Sequence, residues 1–339
     1  MKPIILSIET SCDETSASII ENGKVLNNII ASQTIHELYG GVVPELASRA
    51  HQLKIVEVVE NALSESGIKK SELDGIAFTR GPGLMGALLV GVSFAKGLSL
   101  ALRIPLIEVN HIEAHVLAHF IKPPFPDFPF LCLTVSGGHT QLVTVSSYDN
   151  MKIIGQTQDD AAGEAFDKVA KVLGLPYPGG QYVDKYAMNG DPNRYKFPDT
   201  EMPNLDFSFS GIKTAFLYFI RDNLKKDINF IEKNLPDICA SIQYKIVDTL
   251  IKRLEKASLQ THIKQIAISG GVAANSSLRK AVSERQKSLN WRTFIPDFEY
   301  CTDNAAMIAI AAHIKFLKKD FSNLSVQPDP NLQICSKNI

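Results

Sequence analysis

One pattern in this chain occurs twice, and it restricts the fold more than any other feature. Ile4 to Ile8 is an apolar run of strand length, followed by a polar turn, Glu9-Thr10-Ser11-Cys12-Asp13-Glu14-Thr15, and a second strand, Ser16 to Ile20. Phe130 to Val135 opens the same sequence of elements again, with the turn Ser136-Gly137-Gly138-His139-Thr140 and the strand Gln141 to Val145. The match lies in architecture, Leu6-Ser7-Ile8 against Leu133-Thr134-Val135, more than in identity. Two halves that each begin strand, turn, strand imply an internal duplication. The length of 339 residues allows it, being long for one core and comfortable for two.

Between and after these openings the chain alternates strands with helices. Asn22-Gly23 reads as a hairpin turn leading into a strand from Lys24 to Ile30. Leu46 to Ser66 has helical spacing, with Leu53, Val56, Val59 and Leu63 on one face and Gly67 as the stop. A strand at Leu73 to Thr79, a break at Gly81-Pro82-Gly83, a small-residue helix at Leu84 to Leu102 and a strand at Leu106 to Val109 follow. The segment 123–129, with four prolines, is the best linker. Beyond it, helices are expected at Gly163 to Leu173, Gly211 to Asp222, Asp237 to Ser258, Ala274 to Gln286 and Asn304 to Lys318. Strands are expected at Gln265 to Ser269 and Trp291 to Ile295. The expected organisation is a first lobe over 1–124, a second over 125–325 and a loose tail over 326–339.

Composition excludes several classes. Hydrophobic residues make up 45% and charged residues 21%, which is ordinary for a globular protein. Thirty-five Lys and Arg against 36 Asp and Glu leave no excess charge with which to coat nucleic acid. Five scattered cysteines without a Cys-x-x-Cys fit free thiols in a reducing compartment. No apolar run of about 20 residues is found and the N-terminus is quickly polar, so the expectation is a cytoplasmic protein that spans no membrane.

The clearest chemical constellation is His111-Ile112-Glu113-Ala114-His115. Residues i and i+4 share a helix face with Cβ atoms about 6 Å apart. Two neutral imidazoles there can share a metal ion, and two histidines that merely hydrogen-bond are the alternative. The likeness to the zincin motif is superficial, because in that motif Glu directly follows the first His. Glu113 lies two residues on, turned by roughly 200° from His111, and is a poor base for hydrolysis. A metal held by two histidines usually takes an oxygen ligand and keeps positions for substrate. Asp303 is the candidate, although its place just before the last helix reads first as an N-cap. The turns 135–139 and 269–275 each offer backbone amides without side-chain obstruction, as anion sites require. Each alone reads as a tight turn; together they have the layout of a nucleotide site between two lobes.

Taken together, Ile8 to Thr15, Gly40-Gly41-Val42-Val43-Pro44-Glu45, Gly81-Pro82-Gly83-Leu84, His111-x-Glu113-x-His115, Val135 to Leu142, Asp160 to Asp167, Tyr177-Pro178-Gly179-Gly180, Phe207 to Gly211 and Cys301 to Ala305 resemble the Gcp/TsaD family. These are the bacterial-type tRNA threonylcarbamoyladenosine transferases, and the motifs run from the first strand to the last helix. Ala114 stands where some members have Gly, a change without consequence for ligation. The resemblance implies an α/β fold of the actin-like, sugar-kinase and heat-shock ATPase (ASKHA) class, with two related lobes and a central cleft. It implies transfer of a threonylcarbamoyl group from threonylcarbamoyl-AMP to the N6 amine of the adenosine just 3′ of certain tRNA anticodons. It makes His111, His115 and Asp303 ligands of one metal ion, Fe2+ in preference to Zn2+, and so sets aside the cap reading of Asp303. It places Val135, Ser136, Gly137, Gly138 and His139 on the adenylate, and Asp167, Gly180, Asp184 and Asn275 on the nucleoside. It also implies partners: tRNA, a paralogous scaffold subunit and a small ATPase. For the base that takes the amine proton the candidates are Asp13 and Glu14, whose plain reading is turn chemistry. The competing readings are a metallopeptidase, an older label for such chains, and an ATPase or scaffold of the same fold.

Overall fold

The computed structural model describes residues 2–200 and 202–334. The chain forms two compact units, one of Met1–Phe125, Tyr148–Met151 and Pro296–Ile339, the other of Pro126–Ser147 and Lys152–Ile295. The first crossing between them falls inside the proline-rich 123–129 segment.

In the first unit β1 (Ile4–Glu9) and β2 (Glu14–Glu21) pair antiparallel, with Glu9 opposite Ser16. Asn22 and Gly23 have φ of 49° and 81°, the two positive values a tight two-residue hairpin needs. The single strand expected from Lys24 to Ile30 is instead two, β3 (Lys24–Val25) and β4 (Ile29–Ser32), both paired with β2. Asn27 makes the break. Its side chain accepts from the Ile19 N–H at 3.0 Å and donates to the Ala62 carbonyl at 2.6 Å, replacing ladder bonds with side-chain bonds.

Helix α1 (Pro44–Ser66) starts on a proline and stops at Gly67, whose φ of 72° is the left-handed value favoured after a helix end. Val59 and Leu63 point inward as expected. Leu53 and Val56 do not, being 81% and 55% exposed; the inward face is centred on Ile55, Val58 and Ala62. Strands β5 (Gly75–Gly81) and β6 (Leu106–Asn110) add in parallel beside β1. Helices α1 and α2 (Met85–Leu102) make the crossovers that parallel strands need. Among the described residues α2 is the one helix long and apolar enough to cross a membrane, which corrects the expectation that no such run exists. The fold packs its Ala87, Leu88, Gly91, Val92 and Ala95 inward, against α1 and β5.

In the second unit β7 (Phe130–Val135) and β8 (Thr140–Ser147) form an antiparallel hairpin, with β9 (Asn150–Gln156) beyond β8. Helices α4 (Ala162–Val172), α5 (Gly179–Ala187), α6 (Ser210–Leu224) and α7 (Phe230–Thr261) follow. Strand β10 (Gln265–Ser269) lies parallel to β7, and after α8 (Ser276–Ser288) β11 (Arg292–Phe294) lies parallel to β10. The order β8-β7-β10-β11 repeats the order β2-β1-β5-β6 strand for strand. The duplication read from the sequence is therefore present in the topology.

The last helix, α9 (Ala305–Leu317), departs from the expected division, which put residues to 325 in the second lobe. Its residues Ala305 to His313 are all buried, and it packs on β1, β2, β5 and β6 of the first unit. Period-two alternation explains how one sheet serves two helical layers. Leu6 and Ile8 pack with α1 and α2, while Ile5, Ser7 and Glu9 project to the opposite side, where α9 covers β1. Nor are residues 326–334 loose. The Asp329 N–H bonds the Arg80 carbonyl at 2.9 Å, the Gly83 N–H the Pro330 carbonyl at 3.2 Å, and Asn110 Nδ2 the Gln333 carbonyl at 3.0 Å. Residues 335–339, including Cys335, lie outside the described residues.

Candidate functional site

Strand β6 runs without a loop into α3 (His111–Leu117), because Asn110 is both the last strand residue and the helix cap. Its Oδ1 accepts the N–H groups of Ile112 at 2.8 Å and Glu113 at 3.2 Å. His111 and His115 stand one turn apart with ring centroids 4.7 Å apart and planes at 88°. Both rings are buried.

Asp303 comes to them from the start of α9. The cap of α9 is Asn304, whose Oδ1 accepts the Met307 N–H at 3.0 Å and whose Nδ2 donates to the Thr302 carbonyl at 2.8 Å. Asp303 is thus released from the capping role that its position suggests. The Ala305 N–H, bonded to Ser16 Oγ at 2.8 Å, ties this helix start to β2. Asp303 Oδ1 then lies 3.1 Å from His115 Nε2 and 3.4 Å from His111 Nε2. Ligand atoms of the three residues all fall within 4.8 Å of one another. Glu113 is not one of the converging groups.

The electrostatics favour a cation. Burial alone would push the Asp303 carboxyl up, yet the charge of His111 and hydrogen bonds from both histidines hold it well below the usual carboxylate range. Burial would lower His111, but the charges of Asp303 and Glu9 raise it well above an ordinary imidazole. Burial lowers His115, and the charge of His111 adds to that. Two carboxylates, Glu9 at Nδ1 and Asp303 at Nε2, therefore face one imidazole. Two imidazole nitrogens and a carboxylate oxygen, with no thiolate, suit a borderline divalent ion that keeps positions for other oxygen ligands. The residues fit the metal that the resemblance implies.

Sequence reasoning passed over three supporting residues. Glu9 is fully buried at the end of β1. Its Oε1 lies 2.5 Å from the Ser11 N–H nitrogen, and its Oε2 lies 2.6 Å from Thr79 Oγ1 and 3.1 Å from His111 Nδ1. Ser11 Oγ is 3.2 Å from the same nitrogen. A charged residue closing an otherwise apolar strand was the available signal. Asp13 lies in the turn between β1 and β2, and Glu14 is the first residue of β2. Burial, then the charges of Asp13 and Asp303, push the Glu14 carboxyl well above its ordinary range.

The remaining sequence-selected residues lie in the second unit. Val135 ends β7, and the turn after it closes on itself, with the Ser136 N–H bonded to the His139 carbonyl at 2.8 Å and the His139 N–H to Ser136 Oγ at 3.1 Å. The Gly163 N–H, in the first turn of α4, bonds the Ser136 carbonyl at 3.1 Å. The turn after β10 lies alongside, since Ser269 pairs with Thr134 and a Cβ at Gly270 would stand 2.4 Å from the Val135 carbonyl oxygen. Gly270 also has φ of 86°. A Cβ at Gly137, Gly138 or Gly271 would meet nothing within 4 Å, and none of the three has a left-handed φ. The chain's own packing does not require glycine there, whereas close approach of an anion to the amides does.

Asp167 Oδ1 accepts the Gly179 N–H at 2.8 Å, joining α4 to the start of α5, where Gly180 follows. Asp184 accepts the Ser276 N–H at 3.0 Å and the Ser276 hydroxyl at 2.6 Å. Asn275 caps α8 through the Leu278 N–H at 3.0 Å and donates to Gln243 at 2.7 Å. The structure thus gives Asp184 and Asn275 a part in building the second turn.

Comparison with known proteins agrees with this picture. A family model described as TsaD, tRNA N6-adenosine threonylcarbamoyltransferase, matches residues 24–310. The chain is 59% identical over 325 residues to the tRNA N6-adenosine threonylcarbamoyltransferase of Christiangramia forsetii, covering 95% of this chain and 96% of that one. It is 56% identical over 334 residues to the enzyme of that name from Cytophaga hutchinsonii, covering 98% and 97%. Among solved structures it is similar to T. kodakarensis HypF, with a TM-score of 0.64 at 14% identity over 94% of this chain and 48% of that one. It is similar also to component A of the Acidaminococcus fermentans (R)-2-hydroxyglutaryl-CoA dehydratase, with a TM-score of 0.58 at 15% identity over 92% and 98%. The fold is α/β of the ASKHA class. The chain belongs to the TsaD family of tRNA N6-adenosine threonylcarbamoyltransferases.

Proposed function

We propose that this protein transfers the threonylcarbamoyl group of threonylcarbamoyl-AMP to the N6 amine of the adenosine just 3′ of the anticodon, in tRNAs that read codons beginning with adenine. The observation that carries the reading is the convergence of His111, His115 and Asp303 on one point in a chain of this family. His111 and His115 through nitrogen and Asp303 through oxygen would hold one ion, iron(II) in preference to zinc. When bound, that ion supplies Lewis-acid polarisation of the donor's acyl carbonyl.

The donor is a mixed anhydride, so its leaving group is already good, and the chain must add orientation and charge stabilisation. Val135, Ser136, Gly137, Gly138 and His139, with the amides after Gly270, receive the phosphate. Asp167, Gly180, Asp184 and Asn275 face the ribose and adenine; each carboxylate oxygen of Asp184 keeps a lone pair beyond its bond to Ser276. As the amine nitrogen bonds to the acyl carbon and AMP departs, Asp13 or Glu14 takes the amine proton. Burial, and then the charges of Asp13 and Asp303, raise the affinity of the Glu14 carboxylate for a proton. The work is cytoplasmic, alongside tRNA, a paralogous scaffold subunit and a small ATPase.

The test is single-turnover transfer from preformed threonylcarbamoyl-AMP to tRNA, read by mass spectrometry of the digested nucleosides, with partner subunits supplied. His115→Ala abolishes transfer, and Glu14→Ala slows it more than Asp13→Ala. Full transfer by His115→Ala refutes the assignment of the centre. A metallopeptidase reading has less support, since Glu113 is absent from the ligand cluster.

A further inference from the structure

We infer that Glu9 is the positioning residue of the metal centre: its carboxylate holds the proton of His111 on Nδ1, so that Nε2 is presented unprotonated to an ion shared with His115 and Asp303. The inference rests on the metal assignment made above and goes beyond it. Which nitrogen of a histidine can bind metal is decided by the hydrogen bond made at the other. At His111 the partners of Nδ1 are Glu9 Oε2 at 3.1 Å and the Ser11 hydroxyl at 3.2 Å, and the hydroxyl can accept as well as donate. An ionised carboxylate only accepts, so Nδ1 must carry the hydrogen.

Glu9 is itself held so that it has no other orientation to choose. The Ser11 N–H donates to Oε1 and the Thr79 hydroxyl to Oε2. Thr79 stands on β5, beside β1, so two neighbouring strands and the β1–β2 turn fix the carboxylate between them. The same Glu9 thus links the orientation of the His111 ring to the turn that carries Asp13. His115 is supported differently. Its Nδ1 is buried and has no hydrogen-bond partner among the described residues, so none of their polar groups selects its tautomer from behind. The centre therefore has one histidine preset from behind by a buried carboxylate and one whose polar contact is on the Asp303 side, through Nε2.

Glu9→Gln separates charge and tautomer from shape. The amide oxygen can still accept from Ser11, while the reversed orientation would set an NH2 group against the Ser11 N–H. In the retained orientation the NH2 group faces Nδ1 and can only donate. Nδ1 must then accept, the proton moves to Nε2, and that nitrogen is lost as a ligand. Loss of such a supporting carboxylate is expected to weaken metal binding by roughly 10- to 100-fold.

The experiment uses the full chain stripped of metal and titrated with zinc against a chromophoric chelator, for wild type and Glu9→Gln. It is joined by long-range 1H–15N spectra of zinc-loaded wild type labelled at histidine nitrogen. The expected result is a 10- to 100-fold weaker zinc affinity in the variant and a protonated Nδ1 at His111 in the wild type. Equal zinc affinity in the folded variant, or an unprotonated His111 Nδ1 in the wild type, overturns the role of Glu9 alone. Wild type that takes up no zinc overturns the metal centre, and Glu9's role with it. Should the variant not fold, the wild-type tautomer decides.

Discussion

Asp303 and Asn304 are adjacent, both are good helix caps by type, and the structure gives them different work. That division can be tested by removing each in turn. In Asn304→Ala the Met307 N–H loses its acceptor at 3.0 Å and the Thr302 carbonyl loses its donor at 2.8 Å, at a position with no solvent exposure. Loss of an N-cap costs about 0.5–2 kcal/mol, and a buried N–H left without a partner costs about 1–3 kcal/mol. A net loss of about 1–2 kcal/mol corresponds to roughly 5- to 30-fold faster hydrogen exchange at the Met307 amide. At roughly 2–4 °C per kcal/mol for a unit of this size, it also corresponds to a fall in melting temperature of about 2–8 °C. Zinc affinity should stay near that of the wild type, because Asp303 is still in place. Asp303→Asn should do the opposite, losing zinc affinity while leaving Met307 exchange unchanged. Hydrogen exchange by mass spectrometry, with a zinc titration of both variants, reads both effects. If Asp303→Asn exposes the Met307 amide and Asn304→Ala leaves it protected, the cap has been assigned to the wrong residue.

Three further outcomes follow from the geometry. Gly270→Ala should lower the urea midpoint, since a Cβ there would meet the Val135 carbonyl oxygen at 2.4 Å and the φ of 86° adds roughly 1–3 kcal/mol of strain; an unchanged midpoint refutes the close approach. Burial opposes ionisation of Asp159, but hydrogen bonds from the Ser208 and Ser210 hydroxyls and the Phe209 N–H win and hold its carboxyl below the ordinary 3.8. Its contribution is therefore present above that value and lost as pH falls through the lower folded one, so the stability gap between wild type and Asp159→Asn should close on acidification; a gap independent of pH would count against it. Burial pushes the Cys132 thiol up to about 11 and the Cys239 thiol up to about 12. Neither should be alkylated by iodoacetamide at pH 8 until the chain is unfolded, as peptide mapping would show.

Much of the local structure was legible because it depends on residues close in sequence. Asn22-Gly23 can take two positive φ values at little cost, so the first hairpin turn was placed correctly. Strands β7 and β10 run over the residues expected, being continuous apolar stretches bounded by turn residues. Gly67 ended α1 where a left-handed residue was needed. The duplication was visible because each half must open with the same hairpin to start the same sheet. The i, i+4 spacing placed His111 and His115 on one face of α3 with no help from the rest of the chain.

What the tertiary structure decided involves residues far apart or competing for one role. The apolar spacing of α1 is compatible with more than one inward face, and packing on the sheet chose Ile55, Val58 and Ala62 over Leu53 and Val56. Helix α9 returned to the first unit because the second face of that sheet needed cover, a demand no local pattern expresses. Glu9 looked like one more polar residue of a turn until the fold brought it to His111, 102 positions along the chain. At Asp303-Asn304 either side chain could cap a helix in isolation. The tie between the start of α9 and Ser16 on β2, together with the paired imidazoles, settled which of the two caps the helix and which turns toward His111 and His115.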